Sequence, residues 1–205
     1  MTHPTLLATQ ITFFAKNRFL ELEEFLSSEE EQALCTAIGE ALGNNKEKTS
    51  LQPYFFKQGH DLWRKSSFLQ SWVIKKRNLL LASSLLRLPA IRLGFDQLFE
   101  IPANTEFSLH LQGVSSIQGT QCAFLLRLSS PGEEKGFFCQ KRKSLVFFRE
   151  NRPLALDNPG LYWMVVYTEN GSRYVHNKDD PFTHCFKNEG YAFGDTLNKQ
   201  PLFFA

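Results

Sequence analysis

The residues of this sequence best suited to holding a metal ion lie near position 180. His176, Asp179 and His184 fall in one short window that also contains Asp180 and Cys185. Imidazole and carboxylate groups are ordinary ligands of divalent transition metals. Their spacing matches no established short metal motif, however, and the pair Asp180-Pro181 is typical of a turn. A metal site needs ligands that converge, so the sequence favours a turn with solvated charges and leaves the metal site as the alternative.

His110 is the other residue that could take part in chemistry. It lies in the stretch 107–128, which predicts two strands joined by a polar loop. A single histidine on a core strand is more often a packed, hydrogen-bonded residue than a metal ligand. We interpret His110, Gln112 and Gln118 as candidate ligand-binding residues at the mouth of a β-structure, although both glutamines would also suit ordinary positions beside a loop.

Length and composition predict one globular domain over residues 1–205. The chain has 205 residues, of which 42% are hydrophobic and 21% charged, and two domains of this total size would each have a small core. It contains 20 phenylalanines, and this large side chain favours strands and aromatic packing. The composition therefore indicates a β-rich core.

Charge gives no reason to expect nucleic acid as a partner. The formal net charge is only +2. Basic residues do alternate with phenylalanines in 135–152, a combination that can bind nucleic acid. On strands, however, such alternation turns the apolar residues inward and leaves a solvated basic face. Residues 61–88 lack the compact second helix and glycine turn of a helix-turn-helix motif, so a metal-responsive DNA-binding regulator is the least favoured function.

The cysteines and apolar runs predict a cytoplasmic protein with no membrane partner. Cys35, Cys122, Cys139 and Cys185 form no C-x-x-C pair, so zinc-finger spacing is absent. The longest apolar run, at 79–82, is too short to span a bilayer, and no charged-then-apolar leader opens the sequence. Reduced thiols in the cytoplasm are the expectation.

Residues 1–89 are predicted to be mainly helical. Ser27 with Glu30, or Ser28 with Glu31, makes a capping box before an apolar helical stripe, and Gly43 ends that helix. Apolar residues at helical spacing predict one long or bent helix over 67–86, preceded by Asp61 as the cap of a region that starts at Leu62. Loose alternation at 11–14 and 18–22 predicts one or two strands.

Residues 90–205 are predicted to form the β-rich core. Short β-branched or aromatic runs separated by turn clusters predict strands at 90–95, 107–112, 122–128, 136–139, 144–148, 161–167 and 173–175. Glu169-Asn170-Gly171 is the sharpest hairpin signal, because Asn-Gly suits a type I′ turn. Strands of this number and spacing indicate a sandwich or jelly roll.

Three segments resemble the non-haem Fe(II), 2-oxoglutarate-dependent oxygenases, especially the phytanoyl-CoA dioxygenase-like branch. They are FLELEEFLSSEEEQAL, HLQ followed by CAFLLRL, and KSLVFFRENRPLALDNPGLYWMVVYT. The close of the chain resembles a group of chlamydial proteins with this type of fold. The resemblance implies an α+β fold: a double-stranded β-helix, jelly-roll or cupin-like, with N-terminal helices packed on one sheet.

The resemblance also implies where a catalytic site would be. That family holds Fe(II) with two histidines and a carboxylate, and a basic residue binds 2-oxoglutarate. The first histidine would be His110, but the carboxylate falls at Gln112. The distal histidine falls near Pro153 or Leu154, and the arginine is expected within 163–165, which contains none. No catalytic residue is assigned, and Fe(II) and 2-oxoglutarate are implied by the fold resemblance only.

Three functions follow from these residues. We expect an oxygenase-like fold that is non-catalytic or repurposed to bind a small molecule or a protein. The first alternative is an active oxygenase or metal enzyme with a non-standard site that uses His110 and the 176–185 window. The second is the DNA-binding regulator.

Overall fold

The computed structural model describes residues 6–44, 46–50, 53–128 and 143–204. Its helices are α1 Ala8–Asn17, α2 Ser28–Leu42, α3 Ser67–Val73, α4 Lys76–Leu86 and α5 Cys185–Asn188, with 3₁₀ turns at Leu62–Arg64 and Leu111–Gly113. Its strands are β1 Phe19–Leu22, β2 Tyr54–His60, β3 Ala90–Ile101, β4 Phe107–Leu109, β5 Ile117–Gln118, β6 Gln121–Arg127, β7 Leu145–Arg149, β8 Leu154–Leu156, β9 Gly160–Glu169, β10 Arg173–Tyr174 and β11 Leu202–Phe204. The protein therefore combines α-helices with antiparallel β-sheets.

The large antiparallel sheet is built around β9. This strand pairs with β3 on one side and with β6 on the other, and β6 continues to β7 and β1. On its other edge, β3 is long enough to pair with two strands, β11 near its start and β2 near its end. Two short ladders, β4 with β8 and β5 with β10, lie outside this sheet.

The side chains of β9 alternate between two hydrophobic clusters, as the period of a strand requires. Trp163 and Val165 belong to a cluster shared with α2, α3 and α4, which we call the helix-side cluster. Tyr162 and Met164 belong to a second cluster, which we call the inner cluster. The inner cluster also contains side chains from β4, β5, β8 and β10. It therefore fills the space between the large sheet and the two short ladders.

Aromatic contacts join the helices to the large sheet. The Trp72 ring of α3 lies 5.4 Å from Phe124 of β6 and 5.5 Å from Trp163 of β9. Phe124 in turn lies 5.7 Å from Tyr167. Aromatic pairs at such distances contribute about 0.5–1.5 kcal/mol each beyond the area they bury. Phe124 is thus one of the phenylalanines that pack in the core, as the composition predicts.

The predicted start and end of the first capped helix are confirmed. The Ser27 hydroxyl accepts from the backbone N–H of Glu30 at 3.1 Å, and α2 ends before Gly43, which has φ 68°. The Glu30 side chain does not complete a capping box. Its carboxylate instead accepts from side chains of α3 and α4 and of the link between them.

One helix and one strand predicted for the first half are wrong. The single helix predicted over 67–86 is broken into α3 and α4, because Lys75 adopts an extended ψ of 130°. At the break, the Trp72 carbonyl accepts from the side-chain amide of Asn78 at 2.7 Å and from the Lys75 N–H at 3.2 Å. The strand predicted at 11–14 is part of α1, which ends at Arg18 in the left-handed conformation. The strand predicted at 18–22 is confirmed as β1.

The predicted hairpin at Glu169-Asn170-Gly171 is a turn but not a hairpin. The N–H of Ser172 donates to the Glu169 carbonyl at 3.2 Å. Yet β10 pairs with β5 and not with β9, because its backbone bonds to other segments: Tyr174 N–H donates to Asp195. The chain therefore leaves the large sheet at this turn and enters a short ladder. The strand predicted at 136–139 lies outside the described residues.

None of the helices that the structure describes has both the length and the apolar character needed to cross a bilayer.

Asp96 of β3 holds the first 3₁₀ turn in place. Its buried carboxylate accepts from the backbone N–H groups of Leu62 at 3.0 Å and Trp63 at 2.8 Å, and from the Trp163 indole at 3.1 Å. The prediction that Asp61 caps this turn is wrong, since its carboxylate accepts from the Trp63 indole instead. A strand residue far along the chain supplies the cap.

Asp96 should make the stability of the protein depend on pH. Burial, followed by the charge of Asp61, raises the pKa of Asp96 from 3.8 to about 7, against the lowering effect of its N–H donors. Because the folded-state pKa lies above the unfolded one, the stabilisation from proton uptake is fully present below about pH 3.8 and is lost as the pH rises through about 7. Urea unfolding followed by tryptophan fluorescence should show this decline in wild type and not in Asp96→Asn.

The exposed Asp179 provides the matched control. Asp179→Asn should retain the wild-type pH dependence. Parallel curves for wild type and Asp96→Asn would show that Asp96 does not titrate in this way.

Candidate functional site

His110 lies on the surface and not on a core strand. The strand predicted over 107–112 ends at Leu109, and His110 follows it as an exposed residue. Its Nε2 is 3.4 Å from the Ser108 hydroxyl. The flanking Leu109 and Leu111 are fully buried in the inner cluster. The histidine that the resemblance aligns with an iron ligand is thus exposed where its two neighbours enter the interior.

Gln112 and Gln118 lie on the same surface segment. Gln112 belongs to the 3₁₀ turn Leu111–Gly113 and Gln118 to β5, and both are exposed. We call residues 110–118 the rim segment. The three predicted ligand-binding residues therefore lie along one short stretch of backbone with solvent-facing side chains.

The other positions implied by the resemblance carry no ligand for iron or 2-oxoglutarate. Pro153 is exposed, and Leu154 is buried in the inner cluster. Within 163–165, Trp163 and Val165 face the helix-side cluster, and only Met164 belongs to the inner cluster. The interior therefore presents leucine and methionine where the family would need a histidine and an arginine.

The histidines of the 176–185 window meet around an aromatic ring. The rings of His176 and His184 lie 6.1 Å apart, and both contact Phe193, at 5.3 and 5.9 Å. The Lys187 ammonium lies 4.6 Å from the centre of the same ring. Asp179 is exposed, and its N–H donates to the Asn177 side chain at 3.1 Å. Two of the three metal-ligand candidates are thus neighbours across a phenylalanine.

The turn predicted at Asp180-Pro181 is confirmed and is anchored from inside. Thr183 N–H donates to the Asp180 carbonyl at 3.1 Å. The Asp180 carboxylate accepts from the Ser116 hydroxyl at 2.6 Å and from Phe182 N–H at 2.8 Å. Burial raises the pKa of Asp180, while these two hydrogen bonds oppose the shift. The carboxylate is therefore used to fix the turn.

Asn177 joins the window to the rim segment. Its side-chain amide donates to the carbonyls of Gln112 at 2.6 Å and Ser115 at 2.9 Å, and its N–H donates to the Thr183 hydroxyl at 2.9 Å. The structure therefore brings the two sequence-predicted regions together through backbone contacts. Sequence reasoning missed Asn177, because the two carbonyls that its side chain contacts lie more than sixty residues earlier.

The C-terminal segment packs aromatic rings against the inner cluster. Phe186 lies 5.3 Å from Tyr174 and 6.0 Å from Tyr191. Phe182 packs on the same cluster, 6.1 Å from Phe55. The buried members of the inner cluster are Phe55, Phe95, Phe99, Ile101, Leu109, Leu111, Ile117, Ala123, Leu125, Val146, Phe148, Leu154, Leu156, Tyr162, Met164, Val166, Tyr174, Phe186, Tyr191 and Leu197. Apart from three tyrosine hydroxyls and the methionine sulfur, these side chains are hydrocarbon.

These residues do not fit an iron centre of the kind that the resemblance implies. Within the described ranges, no three His, Cys, Asp or Glu side chains are grouped so that they could hold a metal ion. The carboxylate position is an exposed glutamine, and the interior side chains at 154 and 164 are leucine and methionine. Imidazole and carboxylate donors that converge with open positions are what such a site requires.

Comparison with known proteins gives a fold and no closer relationship. No protein-family model matches the sequence, and no curated protein matches it. The non-heme alpha-ketoglutarate-dependent carbocyclase SnoK from nogalamycin biosynthesis has a similar structure, with a TM-score of 0.75 and 14% identity over 98% of both chains. HygX from Streptomyces hygroscopicus, with nickel and 2-oxoglutarate bound, gives a TM-score of 0.59 and 13% identity over 80% of this chain and 88% of HygX.

A chlamydial protein also has this fold. CT296 from Chlamydia trachomatis gives a TM-score of 0.54 and 16% identity over 82% of this chain and 99% of CT296. At such identities the likeness concerns the fold alone. The resemblance read from the sequence, to the oxygenases and to a chlamydial group, is confirmed at that level.

Removal of one interior ring should show how tightly the inner cluster is packed. Phe186 is 3% exposed, so Phe186→Ala should lower the free energy of unfolding by about 3–5 kcal/mol through lost burial and a residual cavity. Chemical denaturation measures this loss. Phe193, 39% exposed in the same segment, is the matched control, and Phe193→Ala should cost about 1 kcal/mol. Equal losses would mean that the interior is not the tighter site.

Proposed function

We propose that this protein, which has the fold of the non-haem Fe(II), 2-oxoglutarate-dependent oxygenases, is a non-catalytic or repurposed binding protein. The observation that carries the proposal is the apolar inner cluster. In that cluster Leu154 and Met164 occupy positions that the family would use for iron and cosubstrate, while His110 is exposed. The chain then uses the fold for binding and not for oxidation.

The same proposal includes the finer architecture and setting. We take residues 1–205 as a single oxygenase-like domain, with a helical part to residue 89 and a double-stranded β-helix of the jelly-roll type after it. The helix-side cluster supports the packing of the N-terminal helices on one sheet. The cytoplasm remains the expected compartment, and nucleic acid is not an expected partner because the net charge is only +2.

The rim segment is the proposed contact surface for a small molecule. His110, Gln112 and Gln118 expose one imidazole and two amides there, and these groups can donate and accept hydrogen bonds. The Asn177 side chain holds the backbone of this segment at the Gln112 carbonyl, and the Asp180 carboxylate holds the Ser116 hydroxyl. A pre-organised backbone lowers the ordering cost of binding.

An active metal enzyme is the less favoured candidate. His176 and His184 are close enough to share a neighbour, but Phe193 is that neighbour. Asp179 does not join them in a three-ligand group among the described residues. We therefore assign no catalytic role to this window.

Purified protein should neither bind nor turn over the family's reactants. Anaerobic calorimetric titration with Fe(II), with and without 2-oxoglutarate, should give no stoichiometric binding, because the residues that the structure describes include no group of three metal ligands. Addition of oxygen should then release no succinate, with the alpha-ketoglutarate-dependent SnoK and its own substrate as the positive control. One equivalent of bound iron with 2-oxoglutarate consumption in wild type would overturn the proposal.

Gln112→Asp is a sharper version of this test. The substitution restores a His-x-Asp sequence, but the side chain at 112 remains exposed and no distal histidine is supplied. We therefore expect no gain in iron binding over wild type. A tight Fe(II) site created by this single change would mean that the remaining ligands are already in place.

A further inference from the structure

A groove between α2 and α3 has the dimensions of a ligand site. Its volume is about 730 Å³, within the range of roughly 300–1,000 Å³ usual for small-molecule pockets. A second hollow of about 480 Å³ continues it along α2, with Ala33 and Phe68 in both walls. The residues that line the larger groove are Phe25, Ser27, Glu29, Glu30, Ala33, Phe68, Ser71, Trp72, Lys75 and Arg77.

The groove lies on the opposite side of the large sheet from the inner cluster. Trp72, which forms part of its wall, belongs to the helix-side cluster and contacts Trp163 on that face. The groove is therefore separate from the rim segment and from every position that the family would use for iron. The groove is therefore present whether or not the protein binds iron.

One wall of the groove is aromatic and partly open to solvent. Phe68 is 41% exposed although it lies in the first turn of α3, a helix that packs on the core. Phe25 is half-buried and carries the Arg77 guanidinium 4.2 Å above its ring. Ala33 on α2 leaves space opposite Phe68 in both hollows. An apolar body can lie between these side chains and remove Phe68 from water.

The other end of the groove is polar and pre-organised. A single oxygen of Glu30, Oε1, accepts from the Trp72 indole at 3.1 Å, the Lys75 ammonium at 2.8 Å and the Arg77 guanidinium at 2.6 Å. Burial raises the pKa of Glu30, but its hydrogen bonds to Lys75 and Arg77 outweigh this effect and leave the pKa below its ordinary value. The carboxylate is therefore ionised and fixes both cations.

Two cations at this end share one carboxylate. Lys75 and Arg77 both pair with the same Glu30 oxygen, at 2.8 and 2.6 Å. Glu29 also lines the groove, and its pKa is lowered first by a hydrogen bond with Ser27 and least by the charge of Lys143. An ammonium has three N–H donors and a guanidinium has five, and Glu30 uses one donor of each. Donors therefore remain for a ligand anion.

We propose that this groove binds an amphiphilic monoanion, in which one carboxylate is attached to an apolar chain or ring system. The carboxylate pairs with Lys75 and Arg77, and the apolar body lies along Phe68 and Ala33. Medium-chain fatty acids have this chemistry and this size. Glu30 positions the two cations and does not contact the ligand.

Decanoate, used below its micelle concentration, is the probe for the test. Titration of the full chain should give saturable binding, followed by tryptophan fluorescence because Trp72 lines the groove, and by a rise in melting temperature. Decanol and decyltrimethylammonium carry the same chain without the negative charge. Both should bind at least about tenfold more weakly than decanoate, the factor that corresponds to the loss of one charged contact.

Variants assign the binding to these residues. Lys75→Gln should weaken decanoate about tenfold with little effect on decanol, and Phe68→Ser should weaken both. Lys76→Gln, an exposed cation beside Lys75, and Phe204→Ser, an exposed ring elsewhere, are the matched controls and should bind as wild type does. Lys75 and Phe68 are both exposed, so these variants should keep the wild-type melting temperature without ligand.

Three results would overturn the proposal. Tighter binding of decyltrimethylammonium would reverse the charge assignment, decanoate affinity unchanged by Phe68→Ser would place binding elsewhere, and no saturable binding would remove the site. An oxidised decanoate product with added Fe(II) and 2-oxoglutarate would instead contradict the non-catalytic function and leave the groove standing. The two proposals can therefore fail separately.

Discussion

The alternation of side chains along β9 is the constraint on which the rest of the structure depends. Trp163, on one face, packs against Trp72 and donates its indole N–H to Asp96, which in turn caps the turn at Leu62. Met164, on the other face, joins the inner cluster. Because successive residues of a strand face opposite sides, one strand fixes both the docking of the helices and the filling of the interior. The same alternation determines which side chain of 163–165 reaches the inner cluster, and that side chain is Met164.

The sequence was most informative where one local rule had no competitor. Ser27 before an acidic turn and an apolar stripe identified the start of α2, and apolar aromatic runs identified β6, β7 and β9. The prediction failed where the same residues fit both the period of a helix and that of a strand. At 11–14 the neighbouring phenylalanines belong to α1. The prediction also missed β2, in which Lys57, Gln58 and Gly59 interrupt the apolar pattern and a register shift lies between Phe55 and His60. This strand forms because the edge of β3 is available for pairing. Its formation therefore depends on tertiary structure and not on the local sequence.

Part of the candidate site could be predicted, and the exposure of His110 could also have been inferred from its two neighbouring residues. His110 stands between Leu109 and Leu111, and two buried leucines around one residue indicate that the residue between them faces outward. The presence of an amide and not a carboxylate at position 112 was readable from the sequence. The roles of Asn177, Asp96 and Glu30 were not, because each bonds to groups more than thirty residues away. Capping and bridging by side chains that are distant in sequence produce no periodic pattern of residues.

The packed inner cluster also gives a physical reason why a metal site would be costly to build inside this fold. A metal site needs space and polar ligands, whereas the inner cluster consists largely of rings and leucines, and removal of each large buried side chain costs about 2–5 kcal/mol. A domain is stable by only about 5–15 kcal/mol in total, so a few such changes made together approach that limit. Surface positions such as the rim segment and the α2–α3 groove carry no comparable penalty, because substitutions of exposed side chains usually change stability by about 0.5 kcal/mol or less. New binding functions are therefore expected to arise on the outside of this fold, where sequence changes are tolerated.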